Sequence, residues 1–249
     1  MERDDRSSVS TFYADADLSA NALATLGADV AHHARVKRLE IGDRVQVTNG
    51  RGSLAIGVIA TITKNVMDVS VETIRNVRPP FAIHLRAPVA DRDRTLLLAE
   101  KATELGIASW QSVRFKRSLS VSPRGEGAAF AEKLRARMIA ALEQSGGAWL
   151  PQLLVETTLS AISVSNDDVP ILLDADGVVL SGLSSEMQTR SPVVLVGPEG
   201  GIEPDELLRL TDAGWRRVRL APNTLRFETA GIAAVAAIHS QFGEERGDG

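Results

Sequence analysis

The chain has 249 residues, of which 44% are hydrophobic, so it is long enough for one or two cored domains and is neither fibrous nor disordered. It carries no cysteine, which excludes disulfides, thiolate zinc sites and a cysteine nucleophile, and its formal net charge of −4 argues against indiscriminate binding to nucleic acid. Its polar first residues and its lack of a long apolar run predict a cytoplasmic protein without a signal peptide or membrane span.

The first part of the chain, about residues 12–77, has the pattern of β structure. Apolar and polar residues alternate over Arg44–Thr48 and Val66–Val71, which is the period of half-buried strands. Asn49–Gly52 predicts a tight hairpin turn, and Leu54–Thr63 continues with β-branched residues. These segments predict a small barrel or barrel-like sheet.

A domain boundary is predicted at Asn76–Pro80. Two consecutive prolines there interrupt both helix and strand. We therefore expect an N-terminal β domain over residues 1–78 and a second domain over residues 79–249.

Beyond the boundary, predicted strands alternate with predicted helices, which is the pattern of a mainly parallel α/β domain. The predicted strands are Phe81–Ala87, Ile107–Phe115, Pro170–Asp174, Pro192–Val196 and Arg217–Leu220. The predicted helices are Arg92–Leu105, Ala128–Ser145, Glu203–Ala213 and Glu228–Phe242.

The segment Val193–Ile202 predicts a strand, a glycine-rich turn and the approach to a helix. Ligands of open α/β sheets bind beyond the carboxyl ends of strands, and glycines let the backbone come close to them. The turn lacks the Lys-Ser/Thr of a phosphate-binding loop, and Glu199 would repel phosphate, so a neutral or cationic ligand is favoured. A plain tight turn is the alternative.

A second turn of this kind spans Leu220–Ala230, between the last strand and the last helix. Glu228 and Thr229 are typical of a helix's first turn, where capping alone would explain them. Arg226 stands out because its loop is otherwise apolar. The following helix is rich in alanine and glycine, which indicates close packing in the core or at a subunit interface.

Two helix ends carry polar groups, Lys101–Gly106 and Glu143–Ser145, and each is a weak signal alone. Basic residues are concentrated in two stretches: eleven Lys and Arg against six Asp and Glu over residues 86–137, and five against two over residues 35–51. These stretches suit an anionic partner on one face, although solvated surfaces would explain them equally well.

Taken in order, these motifs resemble the successive signatures of one family, the bacterial small-subunit (16S) ribosomal RNA uridine-N3 methyltransferases of the SPOUT superfamily. The stretch His33–Asp43 also looks like that family's entry to its PUA-like RNA-binding domain. The resemblance extends from about Phe12 to Ile238.

The resemblance implies a fold of class α/β, with an N-terminal PUA-like β-barrel and a C-terminal SPOUT domain that contains a trefoil knot. It also implies a homodimer that uses S-adenosyl-L-methionine and acts on 16S ribosomal RNA within the assembled small subunit. The expected cofactor site comprises Leu172, Leu173, Gly197, Pro198, Glu199, Gly200, Gly201, Leu220, Asn223, Thr224, Leu225, Thr229 and Ala230.

The implied reaction assigns roles to two residues of the second turn. The imide nitrogen of uridine must lose a proton, for which Glu228 is the candidate acceptor, and Arg226 would stabilise negative charge on the uracil oxygens. The target base must be unpaired or extruded to enter such a site. Phosphate contacts are expected from Arg35, Lys37, Arg38, Lys101, Arg114, Lys116 and Arg117.

The chain departs from the family's pattern in two places, at Gly147, where an arginine is common, and at Lys37, within Val36-Lys37-Arg38, where leucine is usual. Alternative functions are a related methyltransferase acting on transfer RNA or on a ribose 2′-hydroxyl, a nucleotide hydrolase, and a non-enzymatic RNA-binding module. No metal site is expected, and the four histidines are interpreted as surface or packing residues.

Overall fold

The structure, a computed structural model, describes residues 9–120 and 124–242, which form two compact units. The first unit comprises the chain up to Pro79 together with Ile139–Leu150. The second comprises Pro80–Met138 and the chain from Pro151 onward. None of the helices in the described ranges is long and apolar enough to cross a membrane.

The first unit is built on a five-stranded sheet. Its strands are β1 (Ser10–Tyr13), β2 (Leu23–Leu26), β3 (Arg44–Thr48), β4 (Ser53–Ile62) and β5 (Met67–Asn76). Their order in the sheet is β1-β3-β4-β5-β2, in which β1 pairs with β3 in parallel and the other neighbours are antiparallel.

The predicted hairpin turn lies between β3 and β4. Gly50 and Gly52 both have positive φ angles, +66° and +98°, a backbone conformation that residues with a Cβ rarely adopt. The Asn49 side chain accepts hydrogen bonds from the backbone N–H groups of Arg51 and Ser53. The turn and the strand pattern on either side of it are confirmed.

The interpretation of this region as mostly β missed one helix, α1 (Ala28–Val36). It buries only two small residues, Ala31 and Ala34, and its N-cap, Gly27, makes no side-chain cap. It therefore lacks both the apolar period and the capping signal by which helices are recognised. β1 and β2 were also missed, since four residues are too few to display alternation.

The core of the first unit lies on one face of its sheet. It is formed by buried apolar side chains from the strands and α1, chiefly Phe12, Leu26, Ala31, Ala34, Val45, Val47, Ile59, Met67 and Val69.

The second unit is an α/β domain around a six-stranded parallel sheet. Its strands are β6 (His84–Pro88), β7 (Ser109–Arg114), β8 (Gln152–Thr158), β9 (Asp168–Val179), β10 (Ser191–Leu195) and β11 (Arg216–Arg219). Their order in the sheet is β11-β9-β10-β6-β7-β8. The further helices of the chain are α2 (Arg92–Glu104), α3 (Ala128–Ser145), α4 (Ser184–Met187), α5 (Pro204–Asp212) and α6 (Phe227–Phe242).

The predicted α/β class and its alternating elements are confirmed, with ends that differ by a few residues. β9 is longer than expected because it continues past Asp174 to Val179. β8, which the sequence did not predict, is a sheet edge whose side chains are half-exposed. Such a strand lacks the continuous apolar run of a buried parallel strand.

The strand order places β10 between β9 and β6. The chain therefore adds β7 and β8 on one side of β6, and then β9, β10 and β11 on the other side. This reversal creates a crevice at the carboxyl ends of the strands, the usual ligand position in open α/β sheets. Helices begin close to these strand ends. Asp91 caps α2 by accepting the N–H groups of Asp93 and Arg94, and Glu203 and Glu206 form a capping box on α5.

Candidate functional site

A cavity of about 570 Å³ opens at the carboxyl ends of β9, β10 and β11 in the second unit. Both turns singled out from the sequence line it, together with the end of β9 and one residue of α2. Apolar walls come from Leu173, Val196, Ile202, Leu220 and Leu225. The two turns therefore form one site, although α5 and β11 separate them in the sequence.

The first turn follows β10, and its glycines are required by close contacts. Gly201 has a positive φ of +75°, and its N–H donates to the Pro198 carbonyl at 2.9 Å. A Cβ at Gly200 would lie 3.1 Å from Cβ of Arg117. Arg117 in turn donates to the Gly200 carbonyl at 2.7 Å and to Glu203 at 2.7 Å. The turn is thus held against the 3-10 helix that follows β7.

The second turn joins β11 to α6, and several of its side chains are solvent-exposed. Asn223, Thr224 and Arg226 are exposed, while Leu225 is half-buried, and all four line the cavity. Phe227, the first residue of α6, is buried and fixes the end of the turn.

The end of β9 bulges into the cavity. Leu172 pairs with Arg217 of β11, but the next pair is Val178 with Val218, so residues 173–177 have no counterpart on β11. Gly177 makes this possible, because a Cβ there would lie 2.4 Å from the backbone nitrogen of Val218.

The bulge carries Asp174 and Asp176, both of which line the cavity. Arg217 donates to Asp174 at 2.8 Å and lies 3.5 Å from Asp176. Burial favours the protonated form of Asp174, but hydrogen bonds from Arg217 and from the N–H of Asp176 outweigh it and lower the pKa of Asp174. This acid is ionised at neutral pH.

Arg94 of α2 joins the two turns electrostatically. Its guanidinium forms an ion pair with Glu199 of the first turn, and its Nε lies 4.0 Å from Oε1 of Glu228 at the start of α6. Glu228 is only 7% exposed, and its Oε2 has no hydrogen-bond partner in the described part of the chain. Arg94 is the cation that faces both carboxylates.

Most of the predicted cofactor residues line the cavity: Leu173, Gly197, Pro198, Glu199, Gly201, Leu220, Asn223, Thr224, Leu225 and Ala230. Arg226 does so as well. Leu172 is fully buried in the core with Val193 and Trp215, Gly200 packs on Arg117, and Glu228 and Thr229 lie on α6 outside the lining.

Sequence reasoning missed Arg94, Asp174, Asp176 and Arg217. Asp174 stands at the end of a predicted strand and could have been found by that position. Arg94 follows β6, whose carboxyl end neighbours that of β10, so only the strand order reveals its contribution.

The cations predicted to bind RNA differ in their surroundings. In the second unit each one meets carboxylates: Lys101 meets Glu100 and Glu104, Arg114 meets Glu126 and Glu156, Lys116 meets Asp205, and Arg117 meets Glu203.

In the first unit the predicted RNA-binding cations meet other groups. Nζ of Lys37 lies 5.6 Å from the centre of the Phe12 ring, and the Arg35 guanidinium donates hydrogen bonds to the carbonyls of Ala31 and Lys64. The backbone of Arg38 has a positive φ of +59°.

Two family models match the chain. One, described as an RNA methyltransferase domain, matches residues 77–239, and the other, an RNA methyltransferase PUA domain, matches residues 26–72. An N-terminal β unit of PUA type and an α/β unit with a ligand cavity at its strand ends thus define an RNA methyltransferase. The PUA-like character predicted for the N-terminal β domain is confirmed.

Individual relatives narrow this class. Ribosomal RNA small subunit methyltransferase E of Mycobacterium bovis is 31% identical over 242 residues, which cover 91% of this chain and 90% of that protein. The chain belongs to the ribosomal RNA small subunit methyltransferase E family.

Two solved structures share the fold. Ribosomal RNA small subunit methyltransferase E from Neisseria gonorrhoeae, bound to S-adenosyl methionine, has a TM-score of 0.86 at 23% identity and covers 95% of this chain and 99% of its own. A probable rRNA-methyltransferase from Porphyromonas gingivalis has a TM-score of 0.76 at 26% identity and covers 94% of this chain and 98% of its own.

Proposed function

We propose that this protein transfers the methyl group of S-adenosylmethionine to N3 of a uridine in 16S ribosomal RNA. The observation that carries the proposal is the single cavity lined by both turns in a chain of this family. The Neisseria gonorrhoeae relative with the same fold was solved with S-adenosyl methionine bound.

The cavity suits such a cofactor in size and chemistry. Its volume of about 570 Å³ is in the range of small-molecule sites. Leu173, Leu220 and Leu225 offer apolar surface for an adenine ring, and the open backbone of the glycine turn offers N–H and C=O groups to its polar edge. The carboxylate of Glu199 in that turn disfavours a nucleoside triphosphate.

S-adenosylmethionine, when bound, supplies a methyl group made electrophilic by its positively charged sulfur. The residues of this chain would prepare the acceptor. Arg226 is exposed, lines the cavity and would donate hydrogen bonds to a uracil oxygen, so that negative charge on the deprotonated ring is stabilised.

Glu228 would accept the N3 proton through a water molecule, since its carboxylate lies just outside the cavity lining. Its carboxylate sits in the first turn of α6, and one of its oxygens has no hydrogen-bond partner in the described residues. Arg94 would keep this carboxylate in position. Leu172, Gly200 and Thr229 do not line the cavity themselves, but each is next in sequence to a residue that does or packs beside it. We propose that they support the cofactor site through their backbone or by packing against its lining.

The proposal includes the properties implied by the family resemblance. The α/β unit would contain a trefoil knot, two copies would form a homodimer, and the substrate would be the assembled small subunit in the cytoplasm. The N-terminal cations Arg35, Lys37 and Arg38 would contact RNA phosphates, as would those of the second unit once released from their carboxylates.

The test is methylation by the purified protein. Small ribosomal subunits from a strain that lacks this activity would be incubated with S-adenosylmethionine, and their 16S RNA would be digested and analysed by mass spectrometry. We expect one 3-methyluridine per particle, and calorimetry should show binding of S-adenosylhomocysteine. Methylation of transfer RNA or of a ribose hydroxyl instead would overturn the proposal.

A further inference from the structure

The cavity contains more positive charge than its own acids neutralise. Its lining includes four arginines, Arg94, Arg217, Arg219 and Arg226, and three acids, Asp174, Asp176 and Glu199. The ion pairs described above use all three acids, since Arg94 holds Glu199 and Arg217 holds both aspartates. Among the described residues neither Arg219 nor Arg226 contacts a carboxylate.

Arg226 already has a proposed role towards the uracil ring, but Arg219 has none. We propose that Arg219 binds a phosphate of the RNA substrate at the mouth of the cavity, next to the nucleotide that enters it. This inference rests on the proposed RNA methyltransferase function and adds a contact that the sequence did not indicate.

The position of Arg219 favours this role. It is the last residue of β11, the edge strand of the sheet, and it pairs in register with Val179 of β9. Its side chain is exposed. A side chain on a regular strand is placed more accurately than one on a loop, and an exposed guanidinium with no acid beside it keeps its hydrogen-bond donors available.

The contrast with the other cations of the second unit strengthens the argument. Arg114, Lys116 and Arg117 must each leave a carboxylate before they can bind a phosphate. Their net gain on binding RNA is reduced by the ion pair that they lose, whereas Arg219 loses none.

The anion could in principle also be the carboxylate of the cofactor. The exposure of Arg219 favours the larger polyanion, because phosphates pass the rim of a cavity that receives a single extruded nucleotide. The two sources differ in one measurable respect: only an RNA contact leaves binding of the free cofactor product unaffected.

Arg219→Gln removes the charge and keeps most of the side chain's length. We expect KM for small ribosomal subunits to rise about fivefold with kcat within twofold of the wild type. The slope of log KM against log salt concentration should fall by about 0.7, the value for one phosphate contact on a single strand. The affinity for S-adenosylhomocysteine should stay unchanged, and Arg219→Lys should restore part of the loss.

Arg216→Gln is the matched control. Arg216 is exposed on the same strand, contacts Glu186 at 3.1 Å and does not line the cavity, so KM and its salt dependence should remain those of the wild type. The proposal is overturned if Arg219→Gln behaves like Arg216→Gln, or if it weakens S-adenosylhomocysteine binding as much as it raises KM. Failure of the wild type to methylate 16S RNA would instead overturn the proposed function.

Discussion

Arg94 and Glu228 approach each other to 4.0 Å although they belong to the first turns of different helices, α2 and α6. The same guanidinium pairs with Glu199, so one cation faces an acid from each side of the cavity. Since Glu228 is almost completely buried, this contact is its main electrostatic compensation within the described residues.

The first prediction concerns this cation. Arg94→Met should lower the free energy of unfolding by about 1–3 kcal/mol, because it leaves a buried carboxylate without its cation. It should also weaken binding of S-adenosylhomocysteine, since Glu199 would no longer be fixed in its turn. Denaturant titration and calorimetry would measure the two effects.

Arg137→Met is the control for this change, since it removes an exposed pair with Glu100 away from the cavity. It should cost less than about 1 kcal/mol and leave ligand binding intact. Equal effects of the two substitutions would show that Arg94 acts as an ordinary surface residue.

The second prediction separates chemistry from binding. Glu228→Gln should reduce kcat by about 100-fold or more, the typical contribution of a positioned proton acceptor. Because Glu228 does not line the cavity, the affinity for S-adenosylhomocysteine should change less than twofold. Single-turnover kinetics with small ribosomal subunits would give the rate, and an unaltered rate would exclude Glu228 as the acceptor.

The third prediction concerns Arg226. Its replacement by alanine should lower kcat by about 100-fold if its guanidinium stabilises charge on the uracil oxygens. Arg226→Lys should recover part of this loss, since the charge remains while the planar fork of donors is gone. Turnover that survives in the alanine variant, with cofactor binding intact, would refute this role.

The fourth prediction tests the bulge of β9. Gly177→Ala places a methyl group 2.4 Å from the backbone of Val218, so β9 and β11 must move apart beside the cavity. We expect a loss of about 1–3 kcal/mol in unfolding free energy and weaker S-adenosylhomocysteine binding. Gly182→Ala, where no atom lies within 4 Å of the added Cβ, should leave both quantities near their wild-type values.

The fifth prediction concerns pH. Burial, reinforced by Arg86, lowers the pKa of His84 below its ordinary 6.5, and burial also lowers the pKa of His239. The unfolded chain therefore takes up protons first as the solution is acidified. The stability contributed by the two neutral imidazoles is present above about pH 6.5 and is lost as the pH falls towards their folded-state pKa values.

Replacing both histidines, His84→Asn with His239→Gln, should flatten the decline of unfolding free energy between pH 7 and 5. His32→Asn, which removes an exposed imidazole from the first unit, should leave the decline as steep as in the wild type. Thermal unfolding of each variant, followed by circular dichroism at several pH values, would measure this decline in unfolding free energy. An unchanged decline in the double variant would contradict the assignment.

The sequence predicted those features that depend on local chemistry. The strands at Pro170–Asp174, Pro192–Val196 and Arg217–Leu220, the turns after the last two of them, and helix α5 all carry their signals within about ten residues. The cavity between the turns could be expected as well, because carboxyl ends of parallel strands meet at one edge of a sheet.

Other features depend on contacts between distant segments, and no local pattern encodes them. Arg94 joins the site only because β6 lies beside β10, and Lys116 is neutralised only because α5 brings Asp205 within 2.7 Å. α1 escaped prediction for a different reason, since its buried face consists of two alanines. Tertiary packing, rather than helix propensity, stabilises such an element.

The hydrogen bond from Arg117 to the Gly200 carbonyl has a thermodynamic consequence for the two ligands of this enzyme. A phosphate that drew Arg117 away would loosen the backbone around which the methyl donor is expected to bind. Linkage then requires a reciprocal penalty: whatever factor RNA imposes on the donor's dissociation constant, the donor imposes on that of RNA. Such antagonism would speed the departure of the methylated particle while the spent nucleoside is still bound, and equally that of the nucleoside while the particle is bound.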